Sequence, residues 1–418
     1  MNMDLLIRLN TAFFIIVTFF YSYQFLYLLL PFLKKEKVVD KASTLHTYGV
    51  VIAARNEEAV IGDLIQSIRR QDYSAEKIKI FVVADNCTDN TARVAKKLGA
   101  IVYQRQNKQQ VGKGYALDYL FQRIFADYGK DVVEAYLVFD ADNLLDKHYI
   151  TEINQLFAQG HPIITSYRNS KNYDSSWVAS GQSLYFLKES QYINRSRMLL
   201  RSGCAVSGTG FLVSAKIIQA QKGWKFHTLV EDIEFSVYHA IRGNKIAFCE
   251  NAVFYDEQPR SFLQSWQQRL RWSKGFYQVF FKYGLALFQA IFKEGGFYAF
   301  DLFLKIFPLG FFSGILLLVN LLALFFGYDV SAFAQFLLWG IKRAYLLVFL
   351  SGLLTLLSEW KKIFAAPIKK IISLFTFPIF LATFLPVSFI AAFKHVDWQP
   401  ITHQGTTSLA LAQKENSS

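Results

Sequence analysis

Cysteine is scarce. The 418 residues include three, Cys87, Cys204 and Cys249, an odd number without the paired spacing of a metal site. A disulfide framework and a cysteine-ligated metal are therefore set aside, and the thiols read as unpaired in a reducing compartment. No small-residue cleavage site follows the first apolar run, which argues against a removable signal peptide and predicts an uncleaved anchor. Repeats and low-complexity tracts are missing; only residues 414–418 read as a disordered end. A Walker-type phosphate loop is missing as well, because Gly112-Lys113-Gly114 has neither the long glycine-rich lead-in nor the following Ser or Thr.

What is present is apolar and basic. Hydrophobic residues make up 53% of the chain and Phe occupies 41 positions, more than a purely soluble protein needs, which predicts lipid contact. The formal charge of +13 suits nucleic acid, acidic substrates or anionic lipid. The long apolar runs select lipid and phosphate and exclude nucleic acid. Four runs are long enough to cross a bilayer: residues 12–32, 306–326, 333–357 and 371–393. Lys342 and Arg343 interrupt the third, as side chains that snorkel or line a cavity, and Pro378 and Pro386 are expected to kink the fourth. Lys34, Lys35 and Lys37 follow the first run, against Arg8 before it, so the positive-inside bias puts the next domain in the cytoplasm. Lys361, Lys362, Lys369 and Lys370 mark a further cytoplasmic loop. Four spans put the tail after Lys394 outside. A re-entrant segment would reverse that and let the stretch from His395 through Trp398 and Pro400 to His403 face the active site.

Between residues 46 and 258 the pattern changes. Short apolar runs at 48–54, 78–84, 101–103 and 136–139 read as strands. Runs of helical period at 57–71, 89–98 and 116–125 alternate with them. That alternation predicts a mainly parallel α/β sheet with helices on both faces, and in such sheets ligands bind beyond the carboxyl ends of the strands.

The polar clusters fall at those ends. The run from Tyr136 to Phe139 stops in Asp140 and Asp142, two carboxylates that strand alternation points the same way. No Lys or Arg adjoins them in sequence, so a divalent cation carrying a diphosphate is the expected partner, Mg²⁺ or Mn²⁺ by the all-oxygen donor set. Arg55-Asn56-Glu57, just past Ala53, reads either as an N-cap with first-turn acids or as a ligand-binding turn; Asp85 reads as an Asx turn or as an acceptor for a base or ribose. Lys113 between two glycines suits a phosphate, a weak signal by itself. Glu231-Asp232 opens a helix, either as a dipole-compensating pair or with Asp232 as a general base. Gln268, Arg271 and Trp272 share one helical face, as an amphipathic membrane-surface helix or, more sharply, with Arg271 on a leaving pyrophosphate and Trp272 stacked on a sugar.

Taken in order, Arg55-Asn56-Glu57, Asp85, Gly112-Lys113-Gly114, Asp140-x-Asp142, Glu231-Asp232 and Gln268-x-x-Arg271-Trp272, ending at membrane spans, resemble a membrane-bound family 2 glycosyltransferase of GT-A fold, similar to the bacterial synthases of cellulose, hyaluronan and poly-N-acetylglucosamine. The resemblance implies a Rossmann-like cytoplasmic catalytic domain with interfacial amphipathic helices and α-helical transmembrane segments. It divides the chain into an anchor at 1–40, a GT-A domain at 46–258, interfacial helices at 259–298, a bundle at 299–395 and a tail at 396–418. It implies that Ala53, Arg55, Glu57, Asp85, Lys113 and Asp140 hold a UDP-sugar, that Asp142 and Asp140 hold Mg²⁺ or Mn²⁺, and that Asp232 beside Glu231 is the base of an inverting transfer. Gln268, Arg271 and Trp272 would gate the diphosphate and acceptor, with Phe211 and Tyr238 in the acceptor channel. The chain departs from the family pattern at Val230, where Thr is usual. The implied product is a growing polysaccharide made processively at a bacterial plasma membrane, with an accessory membrane subunit if the small bundle exports it. The alternatives are a single transfer to a membrane lipid, and an inactive sensor or transporter subunit.

Overall fold

A computed structural model describes residues 3–34, 44–325, 330–399 and 403. Lys35, Lys37, residues 400–402 and the end at 414–418 lie outside them. Eight strands form one sheet: β1 (Tyr48–Ala54), β2 (Ile78–Asp85), β3 (Ile101–Arg105), β4 (Ala135–Asp140), β5 (Leu144–Leu145), β6 (Ile163–Ser170), β7 (Phe211–Ser214) and β8 (Ala247–Asp256). Their order is β3-β2-β1-β4-β7-β6-β8-β5. The first four are parallel, as the alternation predicts. Beyond β4 the sheet becomes mixed, because β7 runs antiparallel to both β4 and β6.

Period-two burial on both faces explains why the central strands are continuously apolar. Val51, Phe81, Val83, Tyr136 and Val138 pack on one side, under the helix Lys113–Tyr128. Val50, Ile52, Ile80, Val82, Leu137 and Phe139 pack on the other, under the helices Ile61–Arg69 and Tyr149–Ala158. Each such side chain contributes about 1.5–3 kcal/mol of burial. With both faces covered, polar groups are left only at the strand ends, and the site forms there.

Three helices are long and apolar enough to cross a membrane among the described residues: Leu5–Leu33, Leu337–Ser358 and Pro367–Phe393. The run expected as a clean span at 306–326 is instead broken. The helix Gly296–Ile306 ends before Pro308, which has no N–H to continue the helix, and Leu309–Phe325 leaves at 45°. Lys342 and Arg343 are exposed, and Arg343 lies over the Trp339 ring at 3.3 Å. The last apolar segment breaks at Thr383, three residues before Pro386, while Pro378 is held inside the helix Pro367–Ala382.

The membrane helices are bolted to the catalytic domain by buried polar contacts. Tyr167 donates to Glu359 at 2.6 Å, and the Asn169 amide donates to the Lys362 carbonyl at 2.9 Å. Asp301 receives Tyr23 and Tyr27 of the first helix and Arg197 of the catalytic domain, each at 2.7 Å. Removing one member would leave a buried charge without its partner.

Candidate active site

The twelve residues expected to serve the donor, the metal, the base and the gate line one cavity of about 740 Å³ at the carboxyl ends of the strands. Asp85 ends β2 and takes a 2.6 Å ion pair from buried Arg105 of β3, which fixes the carboxylate at the cavity wall. Glu57 is no first-turn cap, since its helix starts four residues later at Ile61. Its backbone N–H is taken by Thr91 and its carboxylate by His403 at 3.0 Å.

Asp140 closes β4 and Asp142 follows in the turn. The expectation that they lack cationic partners is corrected: Lys113, 27 residues away in sequence, pairs with Asp140 and also donates to the Gly208 carbonyl at 2.8 Å. Asp142 accepts the Glu257 N–H at 2.8 Å, with His403 at 4.0 Å. Burial alone would raise the Asp142 carboxyl, but His403, Lys171 and the Glu257 N–H hold it below the usual carboxylate value. Lys113 sits at the first turn of its helix because Gly114 lies against a neighbouring strap, where a Cβ would stand 2.0 Å from the Phe226 carbonyl oxygen. The two carboxylates offer hard oxygen donors. Among the described residues no group of three His, Cys, Asp or Glu side chains is placed to hold a metal ion, so a cation held here would take its remaining ligands from phosphate or water.

Glu231 and Asp232 open the helix Glu231–Ile241 at the opposite wall. Both carboxyls are pushed upward: burial is the first cause for each, and for Glu231 the adjacent Asp232 adds to it. A buried carboxylate with a raised proton affinity suits proton abstraction. Val230, where a hydrogen-bonding Thr was expected, is a packing residue. Its methyls meet Gly275 of the helix Phe262–Ile291, where an added Cβ would lie 2.7 Å away.

On that helix, Gln268 accepts from Gln182 at 2.8 Å, Arg271 donates to the Leu229 carbonyl at 3.3 Å, and Trp272 meets Phe186 edge-on at 6.1 Å. Arg269 does not reach lipid headgroups. It is fully buried, donates to Thr383, and lies 4.7 Å from the Phe380 ring centroid. Phe211 and Tyr238 do not line the cavity. Phe211 packs in the core against Trp224 and Phe235, and Tyr238 meets Phe226 edge-on and lies under the Arg242 guanidinium.

Sequence reasoning missed several lining residues. Arg168 of β6 pairs with Asp256, donates to the Ser207 carbonyl at 3.0 Å and covers the Phe186 ring at 3.5 Å. Glu189, in a π-helical turn, accepts from Lys305 at 2.8 Å and from Ser207 at 3.0 Å. No local motif flags either. The tail did carry a signal, its dense Trp, Pro and His, and of the two positions left open for it the structure matches the one that faces the site. Trp398 lies over Arg55 at 5.3 Å and His403 touches Glu57, so the tail covers the site.

Comparison with known proteins supplies the family. A profile described as glycosyltransferase like family 2 matches residues 46–275, more than half of the chain. The chain belongs to glycosyltransferase family 2 and is an enzyme of GT-A fold. It is 26% identical over 242 residues to a beta-monoglucosyldiacylglycerol synthase of Synechocystis sp., covering 56% of this chain and 48% of that one. A probable glycosyltransferase of Bacillus subtilis, YdaM, is 24% identical over 72% of both chains. A poly-beta-1,6-N-acetyl-D-glucosamine synthase of Staphylococcus aureus is 24% identical over 55% of this chain and 54% of its own. The chain thus spans about half the length of two of these three relatives. Among solved structures, a mannosyltransferase from Pyrobaculum calidifontis in complex with GDP-Man and Mn²⁺ superposes with a TM-score of 0.56 over 92% of this chain and 100% of that one; at 14% identity the likeness concerns the fold.

Proposed function

We propose that this protein moves a sugar from a UDP-sugar, with inversion at the anomeric carbon, to an acceptor that reaches the site from the membrane. One observation carries the reading: buried Glu231 and half-buried Asp232 share a single cavity with Asp140 and Asp142, and that cavity continues between the membrane helices as far as Ser313 and Ser388.

Asp85, held by Arg105, offers an acceptor to the base or ribose, and Ala53, Arg55 and Glu57 form the adjoining wall. Asp140 and Asp142 would hold Mg²⁺ or Mn²⁺, which when bound neutralises charge on the departing diphosphate. Arg271 adds a fixed guanidinium aimed into the same cavity, favouring charge that builds as the phosphate–sugar bond breaks. Asp232 takes the acceptor proton as the oxygen attacks, and burial keeps that carboxylate basic, with Glu231 beside it. Gln268 and Trp272 close the roof and exclude water, which would otherwise consume the donor. Both a lipid glycosyltransferase and a polysaccharide synthase stand among the relatives, so the acceptor classes are a membrane lipid and a growing polymer. The apolar helices support placement in a bacterial plasma membrane, with the catalytic domain in the cytoplasm.

The test is Asp232→Asn in the full chain. Transfer from labelled UDP-sugars should be lost while UDP binding by calorimetry is retained; full activity would remove Asp232 from the role of base.

A further inference from the structure

The carboxylates that face the cavity from β4 are held from behind. β4 pairs with β7 as far as Val138 and Phe211. Past that point the chain turns at once, and the Asn143 N–H donates back to the Asp140 carbonyl at 3.1 Å. A tight turn does not by itself decide where the Asp142 carboxylate points. Two side chains outside the cavity do. Thr209 and Asn143 are 2% and 1% exposed, and neither lines the cavity.

Their hydrogen bonds form one directed chain. The Asp140 N–H donates to the Thr209 hydroxyl at 2.9 Å. The hydroxyl has a single proton, and it goes to Asn143 Oδ1. That oxygen also takes the Asp140 N–H, at 3.3 Å. Asn143 Nδ2 is left to donate to Asp142 Oδ1 at 3.3 Å, while the Glu257 N–H donates to Oδ2 at 2.8 Å. Reversing the amide would turn its NH₂ group towards two donors and its oxygen towards a carboxylate, so the network fixes its orientation. Each Asp142 oxygen then has one fixed donor, which opposes rotation and leaves lone pairs on both for a cation.

The loop that carries Thr209 is pinned on both sides. Its Gly208 carbonyl accepts from Lys113 at 2.8 Å, and its Ser207 carbonyl accepts from Arg168 at 3.0 Å. These are the cations paired with Asp140 and Asp256. The Gly210 N–H donates to the Val138 carbonyl at 2.9 Å. Gly208 and Gly210 stand at φ +82° and +67°, backbone that glycine adopts without strain.

We propose that Thr209 and Asn143 are positioning residues for the metal: acting through Asp142, they preset the carboxylate that receives the divalent cation. The inference rests on the metal–diphosphate reading above and adds the residues behind it. Thr209→Val keeps the shape of the side chain and removes the hydroxyl. Asn143 then loses the donor that fixes its amide, and Asp142 loses its set orientation.

The experiment uses the purified full chain in detergent. It reads Mn²⁺ affinity in the presence of UDP by electron paramagnetic resonance, metal-free UDP binding by calorimetry, and thermal unfolding. Thr209→Val should weaken Mn²⁺ binding about tenfold, the size of effect that partners of metal ligands carry, and leave metal-free UDP binding as it is. Thr209→Ser keeps the hydroxyl and should hold Mn²⁺ affinity within about twofold of the unaltered chain. A folded Thr209→Val chain with unchanged Mn²⁺ affinity overturns the proposal; the pair would then be packing, and only the unfolding temperature would move. An unaltered chain that binds UDP but no Mn²⁺ takes down the metal reading and the proposal with it. Should Thr209→Val not fold, hydrogen exchange at the Asp140 amide of the unaltered chain carries the test. A preset turn protects that amide before Mn²⁺ and UDP are added, and protection that arises only with them overturns the proposal.

Discussion

The two ends of the cavity are built from different materials. At the polar end, Asp85, Asp140, Asp256 and Glu57 each meet a cation contributed by a distant part of the chain: Arg105, Lys113, Arg168 and His403. At the membrane end a single ion pair, Lys305 with Glu189, gives way to Phe and Leu. The first is a polar scaffold with its charges prearranged, the second an apolar slot without fixed charge. Glu231 and Asp232 stand at the seam, where burial raises the proton affinity of both carboxyls. The comparison teaches that two carboxyls withdrawn from water lie within one cavity with both the polar scaffold and the apolar slot.

The sharpest way to break that picture is at the seam. Asp232→Asn should lower kcat by about 10³-fold, within the range of general-base removal, measured as labelled transfer at saturating donor. In the unaltered enzyme the raised carboxyl must lose its proton to act. The acid limb of kcat/KM should therefore lie above the ordinary carboxylate range, with activity growing as pH rises through it; a limb near the ordinary Asp value would contradict the burial argument. At the polar end, Asp142→Asn should cost roughly 10²-fold and blunt the response to Mn²⁺, since several kcal/mol of charge stabilisation pass through that site; an unchanged Mn²⁺ titration would remove it. Between the two, Gly275→Val should destabilise by about 2 kcal/mol through overpacking against Val230. Thermal unfolding in detergent reads this, and Val230→Ala in the same chain should return part of the loss.

The smallest effect belongs to the tail. Burial alone would lower the His403 imidazole, but Asp142 and Glu57 outweigh it and lift the value from 6.5 to about 9. Its folded value is the higher one, so docking is at full strength below about pH 6.5 and is lost as pH rises through about 9. A fluorophore on Gln399→Cys should show anisotropy falling over that window, and His403→Ala should flatten the response.

Sequence reading succeeded where the determining forces are local. The apolar run at 48–54 located β1 at Tyr48–Ala54 to the residue, and Arg55, Glu57, Asp85, Asp140 and Asp142 stood out because they sit where apolar runs end, whereas Lys113, Glu231, Asp232, Gln268, Arg271 and Trp272, on helices, gained a reading once the motifs were taken in order. It failed where a partner lies far along the chain. Nothing near Asp140 predicts Lys113, nothing near Glu57 predicts a histidine 346 residues on, and neither Glu189 nor Lys305 carries a motif. It also failed where hydropathy outvoted a single proline, since Pro308 ends a helix inside a run that is apolar enough to pass for one span.

The tail's position closes the last of a series of loops. Beyond the interfacial helix, the chain returns to the catalytic domain at Lys305 on Glu189, at Glu359 on Tyr167 and at His403 on Glu57. The apolar helices Leu309–Phe325, Val330–Ser358 and Pro367–Phe393 lie between those returns, so each is tethered at both ends to the domain that carries the cavity. A shift at one anchor is carried along the apolar helices to the next.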